Sequence, residues 1–380
     1  MFELITYVMT KKLCMIFDTP SLYREAIHEK IDENFDCDWY FGDYDYKVKT
    51  YNPQKYEHIE ILHVVDFPHI GLYATKGMVE LLFKKQYKNF FMVGEPRNIS
   101  VWVLAIFKRL FFRKKKLYFW AHGWYGKESF VQGFIKKLVY KSANGIFSYG
   151  SYAKELMVKN GFDNNKIFVI HNSLNFDKQL EIRKSLNVSS IYKEYFGNDD
   201  PTLIFIGRLT AVKRLDMLID AVAKLNRKSI KVNLVLVGDG VMRRGLEGQV
   251  TKLNIEKNVW FYGACYDEKE NAELIYNADL CVAPGNVGLT AIHAMMFGTP
   301  VISHDKFMYQ MPEFEAIKIG ITGDYFKCES VDSLCSVISK WLKLHMNDRQ
   351  RIRENCFREI DKEWNPYYQI NVIKNNLILN

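Results

Sequence analysis

The chain has 380 residues, of which 48% are hydrophobic and 25% charged, so it is long enough for two folded domains with their own cores. This composition excludes a disordered or collagen-like chain. The formal charge of +8 fits an anionic ligand or membrane surface, and no motif of a nucleic-acid-binding fold accompanies it, so no nucleic-acid partner is expected.

Cysteine usage and the chain start both indicate a cytoplasmic protein. The seven cysteines form no CxxC pair, and several lie in apolar runs such as Leu280-Cys281-Val282, as reduced core residues do. The first 13 residues lack the features of a signal peptide, and no run reaches the roughly 20 apolar residues of a membrane span. We therefore predict a protein that is soluble or peripheral on the inner face of the cell membrane.

Short apolar runs rich in β-branched and aromatic residues recur along the chain. In the first half they are Leu13–Phe17, Ile61–Val65, Phe90–Val93, Leu117–Ala121, Gly145–Tyr149 and Ile167–Ile170. In the second half they are Leu203–Ile206, Val232–Val237, Val259–Tyr262, Leu280–Ala283 and Val301–Ser303. Because continuous hydrophobicity is typical of strands covered on both faces, these runs predict parallel sheets.

Helical patterns separate the runs. After Gly207 a buried helix stripe is formed by Leu215, Leu218, Ile219, Val222 and Leu225. The alternation predicts an α/β chain of two doubly wound, Rossmann-like domains facing a cleft. The predicted domains are 1–176 and 201–364, joined by a polar linker at 177–200.

Two segments of the second half have the design of an anion site. In the first, a strand runs into Gly207, and Arg208 and Lys213 flank a helix start, where free N–H groups and the helix dipole favour a phosphate. In the second, a strand ending at Ala283 leads through a glycine-rich turn into a helix beginning near Leu289. A solvated strand-to-helix loop is the alternative for the first segment alone, and two such loops in one domain favour a diphosphate site.

These segments resemble the donor domain of the retaining glycosyltransferases with the GT-B fold, of the family-4 type. The resemblance is close over 201–326 and looser over 145–173, and further landmarks are Leu236–Val241, Val259–Gly263 and Tyr276–Leu280. It implies a UDP- or GDP-linked sugar as donor, a glycan or lipid-linked acceptor, and transfer with retention. It also implies that no metal or other cofactor is needed, and that a last helix at about 365–380 crosses back to the first domain.

The resemblance also implies roles for individual residues. Arg208 and Lys213 would act in catalysis by holding the donor diphosphate. The donor-binding residues would be Gly207, Tyr262, Gly263, Cys265, Tyr266, Asn286, Val287, Gly288, Leu289, Thr290, His293, Glu313 and Glu315.

One departure from the family concerns a pair of glutamates eight residues apart in the second loop. Alignment on Gly298-Thr299-Pro300 places Gly285 and His293 at these positions. Glu313, which matches a Pro-Glu of the family, or Glu315 would supply a carboxylate instead. Glu315 as an ordinary surface carboxylate and His293 as a packed core histidine are the alternatives.

In the first half, His122 and Gly123 follow a strand end, and the resemblance gives this histidine a catalytic role toward the transferred sugar. Gly123, Glu95 and Arg24 are predicted acceptor-side residues. The alternatives are a structural histidine at 122, a surface carboxylate for Glu95 and a surface arginine for Arg24.

The segment Val101–Lys116 joins aromatic residues to six cations, which predicts contact with an anionic membrane through 108–116, with a basic inter-domain helix as the alternative. The predicted function is sugar transfer in the synthesis of capsule or O-antigen type polysaccharide. The rival hypotheses are a nucleotide-sugar epimerase of the same fold and a catalytically silent partner subunit that binds a sugar nucleotide.

Overall fold

The structure is a computed structural model that describes residues 12–45, 48–228 and 230–377. It divides into two compact units, the first comprising the chain up to Ile170 and from Pro366 onward, the second His171–Asn365. The first 11 residues, on which the expectation about a signal peptide rests, lie outside the described residues.

The first unit is built on a seven-stranded parallel sheet. Its strands and one separate hairpin are β1 (Leu13–Phe17), β2 (Cys37–Gly42), β3 (Ile59–Leu62), β4 (Val64–Phe67), β5 (Leu72–Thr75), β6 (Asn89–Val93), β7 (Lys116–Ala121), β8 (Gly145–Ser148) and β9 (Ile167–Val169). The strand order is β3-β2-β1-β6-β7-β8-β9, and β4 and β5 pair antiparallel with each other. The helices are α1 (Glu25–Asn34), α2 (Ile99–Phe111), α3 (Phe130–Lys141) and α4 (Ser151–Lys159).

The second unit has a six-stranded parallel sheet. Its strands are β10 (Thr202–Ile206), β11 (Asn233–Val237), β12 (Val259–Gly263), β13 (Leu280–Ala283), β14 (Val301–His304) and β15 (Gly323–Phe326), in the order β12-β11-β10-β13-β14-β15. Its helices are α5 (Phe176–Ser185), α6 (Ile191–Phe196), α7 (Leu215–Arg227), α8 (Arg243–Leu253), α9 (Glu268–Asn277), α10 (Thr290–Met296), α11 (Val331–His345) and α12 (Arg349–Glu363).

The last helix, α13 (Pro366–Asn376), belongs to the first unit although the chain reaches it from the second. Ile370 and Ile373 pack into the core beneath β1, and Tyr368 donates a hydrogen bond to the backbone oxygen of Val169. The predicted return of the C-terminal helix and the two doubly wound sheets are both confirmed.

The strand prediction was incomplete: one predicted run is split, and β2, β5 and β15 were not predicted. The run Ile61–Val65 is split by a turn at His63 into the sheet strand β3 and the hairpin strand β4. β2 was missed because Asp38 interrupts its apolar pattern. This carboxylate is buried, is paired with Lys12 at 2.7 Å and accepts a hydrogen bond from Tyr87, so it fits inside a strand.

The residues predicted as a linker are ordered. Helices α5 and α6 occupy most of 177–200 and lie in the second unit, where the hydroxyl of Tyr192 donates to the backbone oxygen of Leu274. These two short helices were not predicted because each buries only one side chain and therefore has no apolar stripe in its sequence.

Candidate active site

The two predicted anion loops of the second unit leave neighbouring strands. β10 pairs with both β11 and β13, so the strand order reverses between β10 and β13. In doubly wound sheets, ligands bind at the carboxyl ends of the strands at such a reversal, because the two loops diverge there. The loops 207–214 and 284–289 therefore define the candidate donor site.

Backbone contacts join the two loops. The N–H groups of Gly285 and Asn286 donate to the backbone oxygens of Lys213 and Val212, at 3.0 and 3.3 Å. A Cβ atom on Gly285 would lie 1.9 Å from the oxygen of Val212, so no other residue fits this close approach. Thr290 adds a 2.9 Å hydrogen bond from its hydroxyl to the oxygen of Ile206.

Lys213 reaches from the first loop into the second. Its Nζ donates a 2.7 Å hydrogen bond to the backbone oxygen of Asn286 and lies 3.8 Å from where a Cβ on Gly288 would stand. Burial lowers the pKa of Lys213 to about 8, the charge of Arg208 adds to the shift, and Glu313 opposes it. Arg208 itself is exposed, so the first loop combines one sheltered and one accessible cation.

Glu313 is a buried carboxylate of this site. It accepts a 2.8 Å hydrogen bond from the side-chain amide of Asn172, and its Oε2 has no partner. Burial raises the pKa of Glu313, whereas Asn172 and the charge of Lys213 lower it. Glu315 lies on the same 3-10 turn and is half-buried, and burial together with the charge of Glu315 raises the pKa of Tyr325.

Gln310, which the sequence analysis did not single out, fixes the second loop by hydrogen bonds. The amide oxygen of Gln310 accepts the N–H of Val287 at 2.8 Å, and its nitrogen donates to Ser303 and to the backbone of His304. The N–H of Val287 is therefore already paired within the protein. The N–H groups of Gly288 and Leu289 have no acceptor among the described residues, and Gly288 has a φ of +56°.

A third glycine-rich loop, after β11, packs against the first. A Cβ atom on Gly238 would stand 1.9 Å from the oxygen of Gly207, and one on Gly240 2.4 Å from that of Leu209. The N–H of Leu209 donates to the oxygen of Asp239 at 2.9 Å. These glycines let the backbones of two adjacent loops touch, which shapes the first loop.

The segment predicted to line a base pocket follows β12, at the edge of the sheet. Tyr262 donates a hydrogen bond to Glu270, and the Cys265 thiol donates to the same carboxylate at 3.1 Å. Burial and Glu270 together raise the pKa of Cys265 to about 11. Gly263 accepts the N–H of Gly238 at 2.7 Å, and Tyr266 is 76% exposed.

His293 is paired with a carboxylate that the sequence did not single out. Its Nε2 lies 3.0 Å from Oε1 of Glu268 on α9, and Gln179 donates to the same oxygen at 2.7 Å. Burial raises the pKa of Glu268, but His293 and Gln179 lower it by more, so the pKa is lowered overall. The first position of the missing glutamate pair, Gly285, has no room for a side chain, whereas the second has an acid beside it.

In the first unit, the strand order reverses between β1 and β6. Arg24, which follows the loop after β1, lies with its guanidinium carbon 5.4–5.8 Å from the ring centres of Phe17, Tyr23, Trp120 and Tyr149. It donates a hydrogen bond to the hydroxyl of Tyr149, while its buried Nε has no partner. Arg24 is thus a sheltered cation among aromatic rings, which is not the surface arginine of the alternative prediction.

His122, after β7, lies beside the same tyrosine. Its ring centre is 4.7 Å from that of Tyr149, and its buried Nδ1 has no hydrogen-bond partner. Burial lowers the pKa of His122 to about 3, with Arg24 and Lys136 adding to the shift, so the imidazole is neutral at physiological pH. Gly123 has a φ of +70° and packs tightly against α4, which fixes where the histidine stands.

Glu95 is engaged within its own loop. Its Oε1 accepts hydrogen bonds from both the backbone N–H and the Nε of Arg97, each at 3.1 Å. A cavity of about 440 Å³ opens at the carboxyl ends of β1 and β2, lined in part by Thr19, Gly42 and Asp43. The structure therefore joins Arg24 and His122 through Tyr149, and shows no contact of Glu95 with them.

The predicted six-cation cluster is divided in the structure. Lys108 is buried and donates a hydrogen bond to the side chain of Asn144, and Lys115 donates one to the backbone oxygen of Lys84. Burial lowers the pKa of both lysines. Lys116 begins β7. The exposed cations of the cluster are Arg109, Arg113 and Lys114. None of the helices in the described ranges has the length and apolar character needed to cross a membrane.

No group of three or more histidine, cysteine, aspartate or glutamate side chains is arranged to hold a metal ion in the described part of the chain. All seven cysteines are free, five of them buried. The candidate donor site of the second unit therefore consists of backbone amides, two cations and a buried carboxylate. The first unit has its own group, a neutral histidine and a sheltered arginine.

Comparison with solved structures defines the class. HepE from Anabaena, solved with UDP, matches with a TM-score of 0.73 at 17% identity over 96% of this chain and 99% of that one. The lipopolysaccharide outer core galactosyltransferase WaaB matches with a TM-score of 0.72 at 16% identity over 96% and 100%. These similarities show the fold, which together with the two sheets described above is the GT-B fold.

The sequence of the second unit resembles a known family. Residues 190–358, less than half of the chain, match the family described as Glycosyl transferases group 1. A GDP-mannose-dependent alpha-(1-6)-phosphatidylinositol dimannoside mannosyltransferase from Mycobacterium tuberculosis is 31% identical over 160 residues, 41% of this chain and 38% of that protein. The chain thus aligns with less than half the length of this curated relative.

Proposed function

We propose that this protein transfers a sugar from a UDP- or GDP-linked donor to a glycan or lipid-linked acceptor. The main observation in support is the junction of the two loops, where Lys213 lies near the unpaired N–H groups of Gly288 and Leu289. A diphosphate there would receive backbone hydrogen bonds and neutralising charge as the bond between sugar and phosphate breaks. Arg208 would close on it from the exposed side.

The partly buried environment supports an electrostatic mechanism without a metal ion. A sheltered ammonium group interacts more strongly with a leaving diphosphate than a solvated one does, because water screens it less. The unpaired Oε2 of Glu313 is a candidate acceptor for a sugar hydroxyl. Retention of the anomeric configuration is part of the proposal on the basis of the family resemblance.

We assign the ribose to the pair formed by Glu268 and His293. A carboxylate that is held by Gln179 and His293 and has its pKa lowered can accept hydrogen bonds from two adjacent hydroxyls. This pair would take over the role of the family's second glutamate, which is absent at position 293. The exposed ring of Tyr266 would cover the base.

The acceptor is assigned to the first unit. Neutral His122 can accept a hydrogen bond from a sugar hydroxyl, and Arg24 can hold an anionic group of the acceptor. Capsule or O-antigen type polysaccharide synthesis at the inner face of the cell membrane fits such an acceptor. Membrane contact at 108–116 would rest on Arg109, Arg113 and Lys114, since the other three cations serve the fold.

Calorimetry with UDP and GDP, together with a donor-hydrolysis assay, tests the proposal. Binding of one nucleotide and its release from the matching sugar nucleotide are expected, and Arg208→Ala should abolish the binding. A silent partner subunit is the second candidate, favoured by the lack of room for an acid at Gly285. Binding without any turnover would support that candidate, and unchanged affinity in Arg208→Ala would refute the diphosphate site.

A further inference from the structure

Helix α3 presents an apolar stripe to solvent. Phe130 is 90% exposed, and Val131, Phe134 and Leu138 are each more than half exposed. Residues four apart on a helix share a face, so these four side chains lie within an arc of about 100°. The helix buries only Val139 and Tyr140. Its apolar side therefore faces outward, whereas the apolar side of a surface helix ordinarily faces the core.

The neighbouring helix α2 also exposes apolar side chains. Its last two turns expose three further apolar side chains, Ile106, Leu110 and Phe111. α2 packs beside α3 in the first unit. Large apolar side chains clustered on two adjacent helices mark an interaction surface, because each exposed ring would leave water if it were covered.

The sequence that contains these two helices is strongly basic. Between Ile99 and Lys154 the sequence has 11 lysines and arginines and one acidic residue, Glu128. This surplus of ten positive charges exceeds the net charge of the whole chain, +8. Glu128 is itself neutralised by Lys136 at 2.9 Å and accepts the N–H groups of Tyr125 and Gly126.

The cations border the apolar stripe itself. Lys137 and Lys141 lie on α3 in the same arc as Phe130 and Phe134, seven and eleven residues after Phe130. Arg109, Arg113 and Lys114 are exposed at the end of α2. Apolar rings with lysines beside them match a bilayer, where rings enter the acyl region and ammonium groups remain with the headgroups.

We propose that α3, through Phe130, Val131, Phe134 and Leu138, docks the protein on an anionic phospholipid bilayer. A second copy of this chain fits less well, because pairing would bring two surfaces of like charge together. An anionic bilayer satisfies both the rings and the cations. The inference does not depend on sugar transfer, since the proposed donor site lies in the other unit.

Vesicle flotation of the full chain tests the docking. The unsubstituted protein is expected to float with vesicles of phosphatidylcholine and phosphatidylglycerol, less at high salt, and not with phosphatidylcholine alone. The double variant Phe130→Ser/Phe134→Ser should bind the anionic vesicles at least about tenfold more weakly. The matched control is Val188→Ser/Val241→Ser, whose valines are 75% and 88% exposed in the second unit, and it should bind as the unsubstituted protein does.

Each outcome supports or overturns the docking surface. Because Phe130 and Phe134 are exposed, the double variant should keep its melting temperature and its nucleotide affinity, which separates this test from that of the donor site. Equal vesicle binding by the double variant, or no binding by the unsubstituted protein, overturns the proposal. A concentration-dependent dimer in light scattering that the double variant abolishes would assign the surface to self-association instead.

Discussion

The Nζ of Lys213 lies 2.7 Å from the backbone oxygen of Asn286, 73 residues later in the chain. This hydrogen bond ties the loop after β10 to the loop after β13 at the point where the strand order reverses. The cation is held at the junction before any ligand arrives, so less side-chain entropy is lost on binding a diphosphate. Five predictions follow from this junction, from the pair of Glu268 and His293, and from His122 in the first unit.

Replacing Lys213 with methionine removes the charge and keeps most of the side-chain volume. A hydrogen bond to a charged group contributes about 1.5–3 kcal/mol, so the affinity for UDP or GDP should fall about 10- to 100-fold. Calorimetry measures the change. Lys231→Met is the control, because Lys231 also donates to a backbone oxygen in this unit but lies away from the loops. Equal losses in the two variants would contradict the assignment.

Donor binding should weaken as the pH rises above 8. The pKa of Lys213 is lowered to about 8, so the ammonium group loses its proton above that pH and its attraction for the diphosphate with it. A bound anion favours the charged form, so binding near pH 8.5 should take up a proton, visible as a buffer-dependent heat. Lys213→Arg, which stays charged, should show neither effect. A pH-dependence that persists in this variant would point to another group.

Gly285→Ala should disrupt the junction and destabilise the second unit. The added Cβ would meet the oxygen of Val212 at 1.9 Å, and overpacking of this kind costs about 1–3 kcal/mol. Urea unfolding measures the loss, and nucleotide affinity should fall with it. Gly245→Ala and Gly248→Ala on α8 are the controls, since nothing lies within 4 Å of their added Cβ atoms. These helical substitutions should be neutral or stabilise by up to about 1 kcal/mol.

Glu268→Gln should reduce the recognition of ribose. The unsubstituted protein should bind UDP or GDP more tightly than the 2′,3′-dideoxy form, since the carboxylate accepts from both hydroxyls. The variant should lose most of this difference while keeping its affinity for the dideoxy form. Glu273→Gln, exposed on the same helix, should discriminate normally. Full discrimination by Glu268→Gln would show that the ribose lies elsewhere.

His122 should make the first unit less stable in acid. Its pKa is lowered to about 3 in the folded state and lies near 6.5 in the unfolded state, so the unfolded state binds more protons between these values. Stability therefore falls as the pH drops below 6.5. His122→Gln, neutral at every pH, should flatten part of this fall in chemical unfolding. Buried His28 contributes in the same direction, so part of the slope should remain.

Much of the fold could be predicted because strands covered on both faces need continuous apolar runs, and ten of the eleven predicted strands lie within two residues of their observed ends. β2 was not predicted because Asp38 interrupts its apolar pattern. The partners that allow Asp38 to be buried are Lys12, which pairs with it, and Tyr87, which donates a hydrogen bond from 49 residues away in the chain. The split at His63 escaped because one apolar run continues through a turn. Neither feature has a local sequence signal.

The amino-acid sequence by itself determined the two anion loops, the presence of Arg208 and Lys213 in the first of them, and the family that the second unit resembles. Glycines, cations and helix starts carry their chemistry at fixed spacing along the chain. Only the tertiary structure decided that Gln310 occupies the N–H of Val287, that Glu268 supplies an acid beside His293, and that α3 turns its apolar side outward. Hydrogen-bond partners and burial depend on which distant segments meet, and spacing along the chain does not contain that information.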